Sequence, residues 1–222
     1  MNVVVFAAHP DDETYGCGGV LLRHLKAGDR VHWVIMTEAH APQWTASEIA
    51  QQASQIDVVA SAYPMSSLDW YRLPSTRLET VPLVDVMARI RTTVERTRPE
   101  LVYVPSPWDV HTDHRVTFDA ALSVLKPFHM PRLGVRRILA FETPSSTDAA
   151  PPLAQRQFLP TVFVDVSAFL ERKLEIAGLF ASEVQAEPLP RGASAVRALA
   201  RVRGATVAAE YAEAFMLIRE LA

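Results

Sequence analysis

Residues 3–13, Val-Val-Val-Phe-Ala-Ala-His-Pro-Asp-Asp-Glu, join an unbroken apolar run directly to a group of ionisable side chains. The run at 3–8 contains three β-branched residues and no polar one, which is typical of a strand buried on both faces of a parallel sheet. The ionisable side chains begin where this strand would end. The stretch therefore predicts a central parallel strand with chemically active residues at its carboxyl end.

Strand-like and helix-like segments alternate along the rest of the chain, which is typical of right-handed βαβ units. We expect an α/β fold, a Rossmann-like three-layer sandwich with a mostly parallel sheet. Nothing resembles a linker or a repeat, so we expect one domain over residues 1–222. The predicted strands are 3–8, 30–37, 68–73, 101–104, 137–141 and 161–166, and the predicted helices are 17–27, 47–62, 84–97, 116–125, 168–181 and 193–219.

The composition excludes several classes of protein. Of 222 residues, 49% are hydrophobic and 21% are charged, which excludes a disordered or collagen-like chain. The net charge of −3 argues against a partner such as nucleic acid that a basic face would hold. The single cysteine, Cys17, forbids an internal disulfide and fits a reducing cytosol. No signal peptide and no apolar run of ~18 residues is present, so we expect a cytoplasmic protein without a membrane span.

Two groups of ionisable residues follow predicted strands. The first is 9–13, and the second is His111-Thr112-Asp113-His114, shortly after the strand at 101–104. Ligands of open parallel sheets bind beyond the carboxyl ends of the strands. If the two strands are neighbours, both groups will lie in one site at this edge of the sheet.

The residue types in these groups suit a metal-dependent hydrolase. His9, Asp12 and His114 provide two imidazoles and a carboxylate, a common set of Zn²⁺ ligands that leaves one position open to water. Asp11 would be a second carboxylate beside the metal, where a general base is needed.

The remaining pair, His111 and Asp113, suits an acid or an oxyanion donor whose ring orientation is fixed by a carboxylate. Helix capping is the alternative for either group alone, because acidic side chains favour a helix N-terminus. Capping does not easily explain two such groups that both follow strands, so together they favour a metal site over capping.

The cluster Gly16-Cys17-Gly18-Gly19 offers an alternative to the metal site, namely a loop that binds a dinucleotide cofactor. The fingerprint G-x-G-x-x-G fails because Leu21 occupies its last position, and the glycines lie well after the strand. We therefore expect no nucleotide cofactor, and we expect the glycines to let the first helix pack closely on the sheet. Cys17 is expected to be a packed side chain and not a nucleophile. His40 is read as a solvent-exposed loop histidine, with a place in the crevice as the alternative. Two interpretations remain open for Trp44, Trp70 and Trp108, which could stack on a sugar face or anchor the core and loops. His24, His32 and His129 are read as structural.

Residues 8–13, the helix start at 16–19 and His111–His114 together resemble the LmbE-like or PIG-L family of metal-dependent deacetylases. Segments 141–147 and 203–215 are similar to segments of its smaller bacterial members. The resemblance implies zinc on His9, Asp12 and His114. It also implies hydrolysis of the N-acetyl group of an amino sugar or its conjugate, and it is compatible with a homo-oligomer. The implied catalytic residues are Asp11 as general base, His111 as acid or oxyanion stabiliser, and Asp113 as its orienting partner.

Two departures from the family pattern affect the substrate. Thr45 stands where members that act on N-acetylglucosamine commonly carry a sugar-contacting arginine, three residues before the helix residue Glu48. The loop at 37–42 lacks a glycine that is often found there. An amidase acting on a non-sugar or thiol-conjugate amide therefore remains an alternative. A non-catalytic ligand-binding module of the same fold is a more remote one, since a pure binder has no use for Asp11.

Overall fold

A computed structural model describes all residues from 1 to 222. Seven strands form one sheet in the order β3-β2-β1-β4-β5-β7-β6. Strands β1 to β5 are parallel, and β7 is antiparallel to both β5 and β6. The predicted α/β fold with a mostly parallel sheet is therefore confirmed. The strands are β1 (Asn2–Ala7), β2 (Arg30–Glu38), β3 (Ser67–Pro74), β4 (Leu101–Pro105), β5 (Arg137–Phe141), β6 (Val162–Asp165) and β7 (Ala212–Glu220).

Helices cover both faces of the sheet, and a hydrophobic core lies on each side. Alternation along β1 sends Val3 and Val5 into one core and Val4 and Phe6 into the other, as expected for a strand buried on both faces. Helices α1, α2 and α6 contribute to the first core, and α3 and α4 to the second. None of the helices combines the length and apolarity needed to cross a bilayer. The helices are α1 (Asp12–Lys26), α2 (Ala46–Ala62), α3 (Leu83–Thr97), α4 (Thr112–Val124), α5 (Met130–Leu133), α6 (Leu170–Ala177) and α7 (Ala193–Ala205), with a 3₁₀ turn at Leu78–Thr80.

Strands β1 and β4 are direct neighbours, with Val5 paired to Tyr103 in parallel register. The segments that follow Ala7 and Pro105 therefore leave the sheet at the same edge. Helices α1 and α4 begin earlier than predicted, at Asp12 and Thr112. These earlier starts place Asp12 and His114 in the first turns of two helices that point their N-termini at one site.

The prediction of a helical segment over 193–219 is wrong in its second half. Helix α7 ends at Ala205, and residues 212–220 form β7, which is inserted between β5 and β6. Alanine, glutamate, methionine and leucine are good helix formers, which explains the error. The segment is extended because it pairs on both sides, for example Met216 with Ala140 and Ala214 with Phe163. Pairing with two strands outweighs local propensity.

Helix α1 is broken at Cys17, whose φ of −147° is not helical. A buried ion pair fills the break. The Glu213 carboxylate accepts from the backbone N–H groups of Gly19 and Val20 at 2.9 and 2.8 Å, and Lys173 Nζ donates to the Tyr15 carbonyl at 2.8 Å. Lys173 Nζ and Glu213 Oε1 lie 2.7 Å apart. The ammonium thus binds a carbonyl at the C-terminal end of the first segment of α1, and the carboxylate binds N–H groups at the N-terminal end of the second.

The first segment of α1 lies close against the sheet, as the glycine cluster predicts. A Cβ atom placed on Gly16 would lie 2.2 Å from Cδ2 of Phe141, so no side chain fits there. Cys17 is fully buried, and burial raises the pKa of its thiol, which matches the prediction of a packed cysteine. His24 contacts Asp29 and Tyr103, and His32 contacts Ser67, which are the structural contacts expected of both.

Replacing Glu213 by glutamine is expected to lower the free energy of unfolding by about 3–5 kcal/mol, because it leaves the Lys173 ammonium buried without a counter-charge. Urea unfolding followed by circular dichroism measures the change. Glu171→Gln is the matched control, since Glu171 pairs with Arg197 on the exposed surface and its loss should change stability very little. Equal stabilities of the two variants would contradict a structural role for the buried pair.

Candidate metal centre

Three side chains meet at the shared edge of β1 and β4. His9 Nδ1 lies 3.2 Å from His114 Nε2, and Asp12 Oδ2 lies 3.5 Å from the former and 3.2 Å from the latter. Tetrahedral zinc with bonds of about 2.0–2.1 Å separates its ligand atoms by roughly 3.3 Å. Asp12 and His114 are buried, and His9 is 18% exposed. The triangle therefore fits a zinc-sized ion with one side open for a further ligand.

His111 is the third imidazole of the site. Its ring centroid lies 4.3 Å from that of His9. One ring nitrogen from each of His9, His111 and His114 lies within 4.8 Å of the other two, so the three imidazoles could also hold an ion. His111 Nδ1 accepts a hydrogen bond from the Asp113 backbone N–H at 3.2 Å. Burial, with the neighbouring His9 and His114, lowers the pKa of His111 to about 4, so the ring is neutral at pH 7. A neutral ring that accepts at Nδ1 carries its proton on Nε2.

Asp113 holds a different histidine from the one expected. Its Oδ2 lies 2.9 Å from His9 Nε2, and it reaches His111 only through its backbone N–H. The backbone N–H groups of Thr76 and Leu78, in the loop after β3, donate to the same carboxylate at 2.7 and 3.0 Å. These two donors fix the carboxylate on the His9 side, where it orients a ligand of the triangle.

Asp109 orients the other histidine of the triangle. Its Oδ2 lies 3.0 Å from His114 Nδ1, and its Oδ1 accepts from the His111 backbone N–H at 2.9 Å. Ser146 and Thr147, in the loop after β5, also donate to it. Sequence reasoning missed Asp109, although an acidic residue so close to the His111–His114 group in the same loop is a usable signal.

Asp11 lies beside the triangle and is fully buried. Its φ of 134° is a conformation that residues other than glycine rarely adopt, and strain of this kind concentrates at functional sites. Burial raises the pKa of Asp11 to about 7, against the opposing effect of the Arg191 guanidinium, whose Nη1 lies 2.7 Å from Asp11 Oδ2. Arg191 belongs to the loop between α6 and α7, far along the chain, and no motif marks it.

Three tryptophans that could line the crevice differ in their surroundings. Trp70 is an anchor, because its Nε1 donates to the Thr37 carbonyl at 3.0 Å and its ring is stacked against Arg72. Trp44 is half-buried and lies 6.0 Å from the ring of His40, in the loop after β2. Trp108, in the loop after β4, is also half-buried.

Thr45 serves a local structural role. Its side chain accepts from the Glu48 backbone N–H at 3.3 Å, and Glu48 accepts from the Thr45 backbone N–H at 2.7 Å. The two residues form a capping box at the start of α2. The glutamate that would accompany a sugar-contacting arginine is therefore occupied with its own helix end.

Similarity to a known family covers the part of the chain that carries His9, Asp12 and His114. The model of the family PIG-L, described as GlcNAc-PI de-N-acetylase, matches residues 4–125, which is more than half of the chain. The chain belongs to the PIG-L family. The matched range includes both groups of ionisable residues. It excludes Arg191, Lys173 and Glu213, so these three side chains are features of this chain and not of the matched PIG-L segment.

One curated relative of this PIG-L chain shares a quarter of the aligned residues. The diacetylchitobiose deacetylase of Thermococcus kodakarensis is 25% identical over 187 residues, which cover 78% of this chain and 66% of the relative. The chain thus spans just under two-thirds of that protein.

Two solved structures show the same fold. The N,N'-diacetylchitobiose deacetylase from Pyrococcus horikoshii superposes with a TM-score of 0.77 at 20% identity, covering 98% of this chain and 84% of that one. GalB, the 4-carboxy-2-hydroxymuconate hydratase from Pseudomonas putida KT2440, gives 0.77 at 16% identity, covering 100% and 97%. Because a hydratase shares the fold with a deacetylase, function has to be argued from the site.

Proposed function

We propose that the protein is a zinc-dependent hydrolase that removes an N-acetyl, or another N-acyl, group from an amino sugar or an amino-sugar conjugate. The observation that carries this proposal is the position of Asp11, a buried carboxylate beside a triangle of metal-ligand atoms but outside it. Membership of the PIG-L family supports the reaction type, as does the relative that is named a deacetylase. Residues 1–222 would form one catalytic domain, because a single sheet runs from Asn2 to Glu220.

His9, Asp12 and His114 would hold the metal. When bound, the ion would polarise the acyl carbonyl and lower the pKa of water in the site. His9 and His114 are presented in a fixed orientation by Asp113 and Asp109. These carboxylates keep the metal-facing nitrogens aligned and make them more basic.

The chain's own residues would then move the protons. The carboxylate of Asp11 accepts a proton as water attacks the amide carbon. The neutral His111 ring would offer its Nε2–H as a hydrogen bond to the oxyanion, and the proton taken up by Asp11 would pass to the leaving amine. Collapse of the tetrahedral adduct breaks the C–N bond and releases a carboxylate and a free amine. Asp11 is buried and His111 is half-buried, and hydrogen bonds to developing charge are stronger where water is excluded.

A second substrate class is favoured by one observation. The capping box of Thr45 and Glu48 leaves no arginine where a sugar-contacting one is expected. An amide carried on a non-sugar or thiol-conjugate scaffold would not need that arginine. The catalytic groups would be unchanged, because Asp11 and His111 act on the amide and not on the rest of the substrate.

A panel of N-acyl compounds separates these candidates. Free N-acetyl amino sugars, their glycoside conjugates and N-acetyl amino acids are incubated with the zinc-loaded protein, and the released carboxylate and amine are quantified. Release from the sugar compounds alone supports the proposal, and release from the amino acid derivatives alone supports the second class. If the zinc-loaded protein hydrolyses no compound, the non-catalytic binding module is the better account.

Removal of the metal should abolish hydrolysis. Dialysis against a strong chelator is expected to reduce the rate to background, and addition of Zn²⁺ to restore it, because the ion would both polarise the acyl carbonyl and lower the pKa of the attacking water. Metal content by atomic emission is measured on the same samples. Undiminished activity in a metal-free sample would contradict the mechanism.

A further inference from the structure

Arg191 reaches the candidate base from a distant part of the chain. It is 180 residues from Asp11, in the loop that follows α6, and its side chain is 14% exposed. Its Nη1 donates to Asp11 Oδ2 at 2.7 Å. Both partners are removed from water, so the geometry of this ion pair is held more firmly than that of a surface pair.

Three other contacts fix the guanidinium of Arg191, and a fourth holds its backbone. Nη1 also donates to Glu183 Oε2 at 3.0 Å, and Nε donates to the Pro144 carbonyl at 3.3 Å. The guanidinium carbon lies 5.1 Å from the centroid of the Tyr15 ring. The Arg191 backbone N–H donates to Gln185 Oε1 at 3.0 Å, which holds the base of the side chain. The guanidinium therefore joins three segments, the loops after β1, β5 and α6.

The two oxygens of Asp11 have different surroundings. Oδ2 is bound by Arg191, whereas Oδ1 is buried and has no hydrogen-bond partner. A carboxylate held by one oxygen cannot turn about its Cβ–Cγ bond without breaking that contact. The ion pair thus distinguishes two oxygens that would otherwise be equivalent.

We propose that Arg191 is a positioning residue, which holds Asp11 by Oδ2 and so leaves Oδ1 as the oxygen that accepts the proton during hydrolysis. The proposal rests on the proposed function, because it takes Asp11 to be the general base. Substrate binding is a weaker role for this arginine, since Nη1 is already shared between two carboxylates. Lysine could not replace it fully, because an ammonium cannot reproduce the planar Nε and Nη1 donors together.

Steady-state kinetics of Arg191→Ala and Arg191→Lys test the proposal with the substrate that the panel identifies. For Arg191→Ala we expect kcat to fall about 100-fold, as for a misplaced catalytic group, with KM and zinc content unchanged. Arg191→Lys should recover part of the loss, and added guanidinium should partly restore kcat of the alanine variant. Arg197→Ala is the matched control, because it removes an arginine whose partner is the surface residue Glu171 and should leave kcat unchanged.

Three outcomes would overturn the proposal. A raised KM with unchanged kcat would make Arg191 a substrate contact, and loss of zinc would make it a support of the metal centre. Unchanged kcat and KM would give it no role in the reaction.

Crystal structures of the zinc-loaded wild type and Arg191→Ala provide a readout that does not depend on activity. We expect the Asp11 carboxylate to be turned in the variant, and an identical orientation in both would overturn the proposal. If the wild type hydrolyses none of the amides, the proposed function fails, while this comparison still decides whether Arg191 positions Asp11.

Discussion

Replacing Asp11 by asparagine is expected to lower kcat for amide hydrolysis by about 10²–10⁴-fold, the usual contribution of a general base. The amide has nearly the shape of the carboxylate but cannot accept a proton from water. Zinc content should remain that of the wild type, because Asp11 lies outside the triangle of His9, Asp12 and His114.

The measurement combines the rate of carboxylate release with the zinc stoichiometry of the same preparation. Asp57→Asn is a suitable control, since Asp57 is an exposed carboxylate on α2 and its loss should change neither quantity. An Asp11→Asn variant with the full wild-type rate would remove the general base from the mechanism.

Replacing His114 by alanine is expected to remove both the metal and the activity. His114 Nε2 is one corner of the triangle, and its side chain is 1% exposed, so water cannot easily supply the missing ligand in the same geometry. The change also leaves Asp12 and Asp109 without the imidazole that lies between them. We expect zinc stoichiometry to fall to background together with hydrolysis. Asp11→Asn, in contrast, should lose only the activity.

Because His114 is buried, its loss could also disturb folding, and His9→Ala provides a second test. His9 is partly exposed, so its removal should empty the site with less effect on the core. Circular dichroism and unfolding in urea confirm that each variant is folded. His129→Ala is the control, since the ring of His129 contacts the Val124 carbonyl and the Phe128 ring and belongs to neither motif. Wild-type zinc content in both His114→Ala and His9→Ala would contradict the proposed ligand set.

The parts of the molecule that could be predicted are those whose signals are local in sequence. The apolar run at 3–8 indicates a fully buried strand, and the ionisable residues follow it directly, so their place at the sheet edge needs only the rule for parallel sheets. The pairing of β1 with β4 brings the second motif to the same place.

The remaining features depend on contacts between segments that are remote in the chain. Arg191 meets Asp11 across 180 residues, and Glu213 meets Gly19 across 194. Nothing in the neighbourhood of either residue indicates its partner. Strand β7 was missed for the same reason, because its helix-forming composition is overruled by hydrogen bonds to β5 and β6 on either side. The partner of Asp113 was wrong because the loop after β3, which fixes its carboxylate, could not be placed from sequence.

The ion pair at the break in α1 has a consequence for how the protein is made. A nascent chain that has been synthesised as far as His114 already contains every candidate metal ligand, yet it lacks Lys173 and Glu213. Those residues fix the break at Cys17, within the helix that begins with Asp12, and Glu213 lies in a strand that is synthesised well after His114. Contacts between such remote segments form late in folding. We therefore expect the ligands to acquire their final geometry only when β7 has entered the sheet, so that metal capture follows the addition of this strand.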